Sequence, residues 1–469
     1  MKTILLFNPP DPQGRGFTRE GRCTQDSGAW ATLWPPVSLA TISAFLKEDG
    51  HRVRIVDFPA LGLSFSALRE IVGRELPGAA IWSTGTPTIA SDLGIGKLIK
   101  EISPETVTAV IGTHVTVLPE QALSFEGIDL VIRHEPERPA REICRFLEKR
   151  EWERVAGISY RKGMKGEPLH NPDSVLLSPE EIPFADWDDL DIRCYRLPLK
   201  GRNFLIVAPI RGCPYQCSFC TAPIYYGKRL RKRPPARVAD EIERNIRRHG
   251  VRDFFLWADT FTADKEYVAR FSREIIERGL RITWTCNSRV DTLDRETLLL
   301  MKRAGLWMIS LGLESGSDRI LEASGKRISV AQSRSAVEMV HGLGIKTSGH
   351  FILGLPGESM ESMRRTLSFA LSLPLDIAQF YAAAPFPGTG LYREAIQNRW
   401  LPDGTDLSQD SAALELPGLA ASVVDAFRRY AFRRFYMRPG AVLKLLSMVE
   451  PPAVRHMLAT LSRTARWAG

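Results

Sequence analysis

Two series of short apolar runs, each run followed by an amphipathic stretch, limit the fold of this 469-residue chain more than any other feature. The first series occupies about the first 135 residues, with predicted strands at 3–7, 53–58, 79–83, 107–112 and 130–133. Predicted helices lie between them at 37–48, 64–74, 90–102 and 119–125. Alternation of strands and helices favours a doubly wound, parallel α/β sheet, which binds ligands at the carboxyl ends of its strands.

A second alternating series begins at Phe204. Its predicted strands cover 204–208, 253–257, 283–286, 307–313, 346–353 and 377–383. Six strands with intervening helices favour a partial (β/α)6 barrel, whose functional loops gather at the strand C-termini. The predicted domains are a Rossmann-like domain at 1–137, a polar linker at 138–199, the partial barrel at 200–395 and a helical, basic region at 396–469.

The composition is that of a globular protein, with 44% hydrophobic and 25% charged residues. Only four apolar residues in a row precede Asn8, too few for a signal peptide. No run reaches the roughly 18 apolar residues of a membrane span. We therefore expect a cytoplasmic protein.

The net charge of +9 is concentrated at one end of the chain. Residues 426–469 hold nine Arg or Lys against a single acid, Glu450, and so contribute +8. Because the remainder is nearly neutral, nucleic acid is not an expected partner. Residues 419–447 interleave apolar side chains at helical spacing with paired arginines. This pattern fits a helix packed on the barrel, which is favoured, or a basic helix that makes peripheral contact with a membrane.

Three cysteines, Cys213, Cys217 and Cys220, lie in one loop directly after the first strand of the second series. Three thiolates at this spacing can hold three corners of a four-iron cluster. The spacing supplies no fourth ligand, so one iron would stay open for chemistry.

Two other interpretations of the triplet are weaker. A structural zinc site needs four ligands, and the nearest histidines, His170 and His249, fall outside any usual zinc spacing. A disulfide framework is typical of small secreted domains, whereas this chain has 469 residues and seven Cys. Cys144, Cys194 and Cys286 are expected in the core.

The cysteine loop resembles that of the radical S-adenosylmethionine (SAM) superfamily, and the similarity continues through residues 204–390. The resemblance implies a [4Fe-4S] cluster whose open iron is chelated by the amino and carboxylate groups of SAM. An electron from the cluster then cleaves SAM to a 5′-deoxyadenosyl radical that abstracts hydrogen. An external electron donor of the flavodoxin or ferredoxin type is implied as well.

Four later strand ends carry further residues of this resemblance, at 257–262, 287–289, 312–316 and 349–358. The resemblance implies that Glu314 contacts the SAM ribose and that Asn287 and Arg289 help to hold SAM. The residues expected to surround SAM are Tyr215, Phe219, Asp259, Asn287, Arg289, Glu314, Gly354, Pro356 and Gly357.

A doubly wound domain placed before such a barrel resembles the layout of the cobalamin-dependent radical SAM enzymes, in which that domain binds vitamin B12. The similar segments include 34–40 and 112–120. The chain lacks the Asp-x-His-x-x-Gly motif that supplies a cobalt ligand elsewhere, so cobalt is expected without a protein imidazole, and ligation by His114 is the less favoured alternative. The residues expected to surround cobalamin are Asn8, Pro9, Ser83, Thr84, Gly112, Thr113, His114 and Glu135.

One loop departs from the family pattern. Where many relatives read Gly-Glu-Gly-Glu, this chain has Arg133-His-Glu-Pro-Glu137, which keeps both acids and loses both glycines. A close approach of the backbone at this loop is therefore in question.

The resemblance implies methylation of an unactivated carbon in a small-molecule substrate. If the basic tail contacts a membrane, a lipid or a tetrapyrrole is the expected substrate. One SAM methylates cobalamin, a second generates the adenosyl radical, and the substrate radical takes the methyl group from methylcobalamin. The alternative enzyme is a non-methylating cyclase or ring-rearranging oxidoreductase with the same cofactors, similar to the anaerobic magnesium-protoporphyrin ester cyclase. A non-enzymatic B12 or iron-sulfur sensor is disfavoured by the strand-end residues.

Overall fold

The computed structural model describes residues 3–20, 23–26, 32–163 and 166–454. The chain divides into two units, each with its own sheet. The N-terminal unit comprises residues 1–27, 33–195 and 221–227, and the C-terminal unit comprises 28–32, 196–220 and 228–469. The α/β class expected from the sequence is confirmed.

The N-terminal unit contains nine strands and eight helices among its described residues. The strands are β1 (Ile4–Asn8), β2 (Phe17–Glu20), β3 (Cys23–Asp26), β4 (Val53–Asp57), β5 (Ala79–Ser83), β6 (Val107–Ile111), β7 (Leu130–Ile132), β8 (Ile158–Arg161) and β9 (Pro168–His170). The helices are α1 (Val37–Glu48), α2 (Phe58–Leu61), α3 (Phe65–Glu75), α4 (Ile89–Ile102), α5 (Thr113–Val117), α6 (Pro119–Leu123), α7 (Glu137–Arg145) and α8 (Ala222–Tyr226).

The main sheet of this unit has the order β4-β1-β5-β6-β7-β8-β9. Its first five strands pair in parallel, and each connection between two of these strands that follow one another in the main sheet along the chain passes through at least one helix. Strands β8 and β9 add antiparallel pairs at one edge. Both come from the predicted linker, so part of that segment extends this sheet.

Aromatic side chains fill the centre of the N-terminal unit. The rings of Phe7 and Trp82 stack with centroids 5.4 Å apart, and Phe58 meets Phe7 edge-on. The indole Nε1 of Trp82 donates to the Asp92 carbonyl at 2.9 Å, so its polar atom stays satisfied inside the core. The core therefore fixes β1 and β5 side by side, with their carboxyl ends level.

The C-terminal unit contains eight strands and nine helices among its described residues. The strands are β10 (Phe204–Val207), β11 (Ile210–Arg211), β12 (Arg231–Lys232), β13 (Asp253–Leu256), β14 (Thr283–Ser288), β15 (Leu306–Glu314), β16 (Lys346–Leu353) and β17 (Ile377–Ala382). The helices are α9 (Pro235–His249), α10 (Lys265–Glu277), α11 (Arg295–Arg303), α12 (Asp318–Ala323), α13 (Val330–Gly342), α14 (Met360–Ser372), α15 (Gly390–Gln397), α16 (Ala421–Tyr436) and α17 (Pro439–Met448).

Six of these strands form one sheet in the order β10-β13-β14-β15-β16-β17, and every pair is parallel. All six were expected from the apolar runs. Several connecting helices begin at a side-chain cap: Asp294 accepts from Thr297 at the start of α11, and Ser329 forms a capping box with Gln332 in α13. Closure of this sheet into a partial barrel stays a prediction.

The basic segment predicted at 419–447 forms two helices rather than one. Helix α16 ends at Tyr436, and α17 starts at Pro439, whose ring favours the first turn of a new helix and has no N–H to continue the old one. Helix α16 is packed, with Phe427, Ala431 and Phe435 buried. No helix among the described residues is long and apolar enough to cross a membrane.

Candidate active site

The cysteine loop begins where β10 ends and is held from two sides of the C-terminal unit. Gly212 adopts φ 89°, a left-handed conformation that turns the chain into the loop. Within the loop, the Ser218 N–H donates to the Ser324 carbonyl at 2.9 Å, and the Ser218 carbonyl accepts from the Leu391 N–H at 2.8 Å. The loop backbone therefore has a defined shape fixed by distant segments.

The three thiols of this loop are not joined in disulfides. Cys213 is buried and lies 3.9 Å from the Thr260 hydroxyl, while Cys217 and Cys220 are half-buried. In the part of the chain that the structure describes, no group of three or more Cys, His, Asp or Glu side chains surrounds a single metal-ion position. An iron-sulfur cluster has a different requirement, because each thiolate binds its own iron.

The chemistry of these thiols fits a cluster. Burial is the largest influence on Cys217 and raises its pKa, so the thiol stays protonated without a metal. Binding to iron removes the proton and replaces the lost hydration. The three cysteines could therefore hold a [4Fe-4S] cluster with one iron left for another ligand.

Arg289 lies directly against the cysteine loop. Its guanidinium carbon is 3.8 Å from the centroid of the Tyr215 ring, and its Nη1 lies 3.7 Å from the Cys217 sulfur. Asp291 holds the guanidinium by two hydrogen bonds of 2.9 Å, and Nη2 also donates to the Lys326 carbonyl at 2.7 Å. The structure thus brings together two predicted residues, Tyr215 and Arg289, through Asp291, which the sequence analysis missed.

Glu314 ends β15 in a strained conformation, with φ 61° for a non-glycine residue. Its carboxylate accepts from the Lys326 ammonium at 2.7 Å, and both side chains are buried. A Cβ at Gly312 would lie 2.5 Å from the Glu314 Oε1 and 2.6 Å from the Lys326 Nζ. A side chain at position 312 would therefore displace the ends of this ion pair, and Lys326 is a further residue that sequence spacing alone did not reveal.

The turn after β16 is fixed by its own glutamate. The Glu358 carboxylate accepts from the N–H groups of Gly354 and Leu355, at 2.6 and 3.3 Å. Burial raises the pKa of Glu358 to about 7 despite these two bonds. Gly354 and Gly357 have φ of 83° and 78°, which explains the two glycines that flank Pro356. The carboxylate stabilises the turn that the resemblance assigns to SAM.

One face of the second sheet is polar and half-buried. Strand β14 alternates buried and half-buried residues, which places Asn287 on the same face as its β15 partner Ser310. On β16, His350 pairs with Gln379 of β17, and the His350 Nδ1 lies 3.3 Å from the Tyr381 hydroxyl. His350 lies in the predicted segment 349–358 but was given no role there, and Tyr381 was not among the predicted site residues.

Two further predicted SAM residues, Asp259 and Phe219, lie in or beside the cysteine loop. Asp259 is buried just beyond β13 and beside Thr260, which contacts Cys213. Phe219 is half-buried within the cysteine loop. Their positions are adjacent to the loop, and their proposed roles stay predictions.

The strand ends of the N-terminal unit surround a small pocket of about 10 Å³, which is room for about one water molecule. Three predicted residues, Ser83, Thr84 and Gly112, line it, together with Arg19, Glu20, Ser38, Ile111 and Tyr225. Gly112 has φ 143°, and a Cβ there would lie 2.6 Å from the Thr84 carbonyl oxygen. A corrin ring is far larger than this pocket, so the pocket itself would receive at most a side group of cobalamin.

Other polar groups at this edge are consistent with a ligand. The Asn8 Oδ1 is buried and has no hydrogen-bond partner, and an unsatisfied buried acceptor is costly unless a ligand or water supplies a donor. Pro9 is engaged, because its carbonyl accepts from Arg19, whose guanidinium forms a fully buried ion pair with Asp92. The residues present therefore fit the polar side groups of a cobalamin.

His114 is held by protein groups on both ring nitrogens. Its Nδ1 lies 3.3 Å from the Thr86 hydroxyl, and its Nε2 lies 2.9 Å from the Gln121 side-chain oxygen. Burial lowers the pKa of His114 and keeps the ring neutral. This arrangement favours the hydrogen-bonding alternative over ligation of cobalt.

The remaining predicted residues lie nearby. Thr113 is buried at the start of α5, and the Glu135 carboxylate accepts from the Leu177 N–H at 3.3 Å. In the loop that has lost its glycines, His134 still adopts φ 61°. A left-handed conformation costs a non-glycine residue about 1–2 kcal/mol, so the loop keeps the glycine-like backbone with strain.

Comparison with known proteins follows the same division. Residues 29–144 match the model of the B12 binding domain, and residues 207–370 match that of the Radical SAM superfamily. The chain is 32% identical to the uncharacterized methyltransferase PH0819 of Pyrococcus horikoshii, over 88% of this chain and 90% of that protein. The chain belongs to the cobalamin-dependent radical SAM enzymes.

Two further similarities place this radical SAM enzyme among its relatives. It is 29% identical to the anaerobic magnesium-protoporphyrin IX monomethyl ester cyclase of Rubrivivax gelatinosus, over 77% of this chain and 66% of that one. Its fold matches the radical SAM methyltransferase TsrM of Kitasatospora setae, solved with cobalamin and a [4Fe-4S] cluster, at a TM-score of 0.70 and 17% identity over 96% and 92% of the two chains. The cofactors of this radical SAM enzyme are a [4Fe-4S] cluster, SAM and cobalamin.

Proposed function

We propose that the enzyme methylates an unactivated carbon of a small molecule, and that the substrate is a lipid or a tetrapyrrole. The observation that carries the reaction is the similarity to a methyltransferase over nearly the whole of both chains. The substrate class is supported by the basic C-terminal helices, which suit an enzyme that works on lipid-soluble material. We include peripheral membrane contact and an external donor of the flavodoxin or ferredoxin type in this proposal.

The chain's residues divide the work between the two units. When bound, the cluster and SAM supply the radical that removes hydrogen, and cobalamin supplies the methyl group. Cys213, Cys217 and Cys220 hold the cluster, and the stack of Arg289 on Tyr215 keeps a fixed positive charge beside it.

The strand ends next to the cysteine loop bind and orient SAM. The anionic Glu314 is restrained by Lys326 and faces a cofactor whose sulfonium and amino groups are cationic. The turn at 354–358 supplies backbone groups fixed by Glu358. These residues do not need to move a proton, because hydrogen leaves the substrate as an atom.

The polar face of the second sheet is the part of the site suited to the substrate. His350 and Tyr381 stack with ring centroids 5.8 Å apart and nearly parallel planes. Together they offer a hydrogen-bond donor and acceptor on this polar face, which orients a polar group of the substrate. We assign them to substrate positioning.

A non-methylating cyclase is the second candidate. The observation in its support is the similarity to the Rubrivivax cyclase. The two are separated by incubating reconstituted enzyme, reductant and methyl-labelled SAM with extracted lipids and pigments. Methylation predicts label in an extracted product. Formation of 5′-deoxyadenosine together with an altered but unlabelled product would overturn methylation and support the cyclase.

A further inference from the structure

The C-terminal helices expose an unusual share of the apolar surface. Thirteen large apolar side chains are exposed among the described residues, and seven of them lie between positions 423 and 454. Within this segment the most exposed are Met437 at 77%, Leu443 at 68% and Leu446 at 64%. Scattered single exposures are ordinary, whereas a concentration in one short segment marks an interaction surface.

Helix α17 is attached to the C-terminal unit by its other face. The Lys444 ammonium donates to the carbonyls of Pro374 and Leu375, at 2.9 and 3.1 Å. Met448 packs in a cluster with Ile377, against which Leu445 also lies. The exposed residues of α17 share the opposite face, because Val442 and Leu443 each lie about one turn before Leu446. Polar residues at these positions would serve the fold equally well.

Cations accompany this apolar face. Exposed residues recur at about one-turn spacing along the last part of α16, up to its junction with α17. They are Tyr430, Arg433, Arg434 and, directly after the helix, Met437. The segment from 426 to 469 contributes +8 to the net charge. Apolar side chains interleaved with exposed arginines match a surface that inserts shallowly into an anionic interface.

We propose that Met437 and the outer face of α17, with Arg433 and Arg434, dock on an anionic lipid bilayer. This surface names the residues that would make the membrane contact included in the proposed function. Its biological role rests on that function, whereas the binding itself can be tested without it. The packed face of α16 does not take part, because its aromatic residues are buried within the C-terminal unit. The leucines enter the interfacial region, and the arginines bind lipid phosphates.

The test uses the full chain in flotation with vesicles of phosphatidylcholine alone or mixed with phosphatidylglycerol. We expect binding to the anionic vesicles, weakened by salt, and little binding to the neutral ones. The double variant Leu443→Ser/Leu446→Ser loses about tenfold or more in affinity, since each leucine gives up the burial of a whole side chain. The pair Arg433→Gln/Arg434→Gln loses about fivefold per charge.

A matched control changes two exposed apolar residues elsewhere in the same unit, Leu299→Ser/Ile396→Ser, which are 42% and 51% exposed. This control binds vesicles like the parent protein. Equal binding by the α17 variant, or equal binding to neutral and anionic vesicles, overturns the proposal. Loss of a dimer in the α17 variant, with no vesicle binding by the parent, shows instead that a second copy covers this face and also overturns it.

Catalysis is scored separately as cleavage of SAM to 5′-deoxyadenosine in solution. Failure of vesicle binding with cleavage intact removes only the docking surface. Failure of labelled-methyl transfer with vesicle binding intact removes only the proposed reaction.

Discussion

Cys217 and Cys286 have the same side chain in the same unit and opposite surroundings. Cys217 lies in the cysteine loop within 3.7 Å of a guanidinium, whereas Cys286 is fully buried in β14. We expect Cys217→Ala to lose most of the bound iron and all SAM cleavage, because two thiolates cannot hold the cluster. Iron and sulfide are measured per protein after anaerobic reconstitution.

The control is Cys286→Ala. It keeps its iron and loses about 1–2 kcal/mol of unfolding free energy, as expected for a small truncation in a core. Normal SAM cleavage by Cys217→Ala would refute the assignment of the cluster.

The ion pair of Glu314 and Lys326 gives a second prediction at this scale. Because both side chains are buried, Lys326→Met leaves an unpaired carboxylate and costs about 3–5 kcal/mol of unfolding free energy. The double variant Glu314→Gln/Lys326→Met recovers much of that loss, since no buried charge remains. Denaturant unfolding measures both. A double variant as unstable as Lys326→Met would show that the pair acts through packing instead.

The three cysteines, the strand-end glycines and Glu314 could be proposed from the sequence because they lie in short local motifs. The sequence did not predict Lys326, Asp291, His350 or Tyr381. Lys326 reaches Glu314 across 12 positions, and the His350–Tyr381 contact depends on the register of β16 and β17. In the sequence, Lys326 directly follows Gly325, and a Gly-Lys pair is typical of an exposed turn. Only the three-dimensional structure shows that this lysine is buried beside Glu314.

At the scale of elements, the turn after β16 makes stability depend on pH. The pKa of Glu358 is about 7 in the folded chain and 4.5 when unperturbed, so the folded state holds its proton more tightly. Its contribution is therefore fully present below about pH 4.5 and is lost as pH rises through about 7. The loss amounts to about 3 kcal/mol.

The matched variant is Glu358→Gln, which keeps the shape and cannot ionise. The unfolding free energy of the parent should fall relative to that of the variant between pH 5 and pH 8. Parallel pH profiles for the two proteins would contradict the raised pKa.

The link from β6 to α5 gives a prediction about glycine. Gly112→Ala forces a Cβ to within 2.6 Å of a backbone oxygen at a left-handed φ, so we expect a loss of about 1–3 kcal/mol and weaker retention of corrinoid. Gly94→Ala lies in open space within α4 and stabilises by about 0.5–1 kcal/mol. Thermal unfolding and corrinoid absorbance measure both. Equal behaviour of the two variants would mean that the backbone adapts at Gly112.

Regular elements were predictable where short apolar runs are bounded by polar residues, as in β10 and β13. Strand β2 was not, because its sequence Phe-Thr-Arg-Glu looks like a polar loop. Its Arg19 and Glu20 are buried only because Asp92 and Ser38 satisfy them. Such tertiary compensation leaves no periodic signal in the sequence.

At the scale of the whole molecule, the candidate cofactor residues belong to separate units. The cluster cysteines lie in the C-terminal unit, and Ser83, Thr84 and Gly112 lie in the N-terminal one. We therefore expect the triple variant of Cys213, Cys217 and Cys220 to Ala to keep its cobalt within about twofold while losing iron, and Gly112→Ala to keep its iron. Elemental analysis of purified proteins decides this. Joint loss of both metals in either variant would show that the units do not load independently.

The two anchors of Ser218 also order the events of biosynthesis. One partner lies 106 positions downstream, at Ser324, and the other 173 positions downstream, at Leu391. A nascent chain that ends before Leu391 has made its three thiols but lacks a segment that shapes their loop. The loop can then reach its final shape only after the whole of the C-terminal sheet, which ends at Ala382, has been translated, so we expect metal delivery to the shaped loop to follow that point.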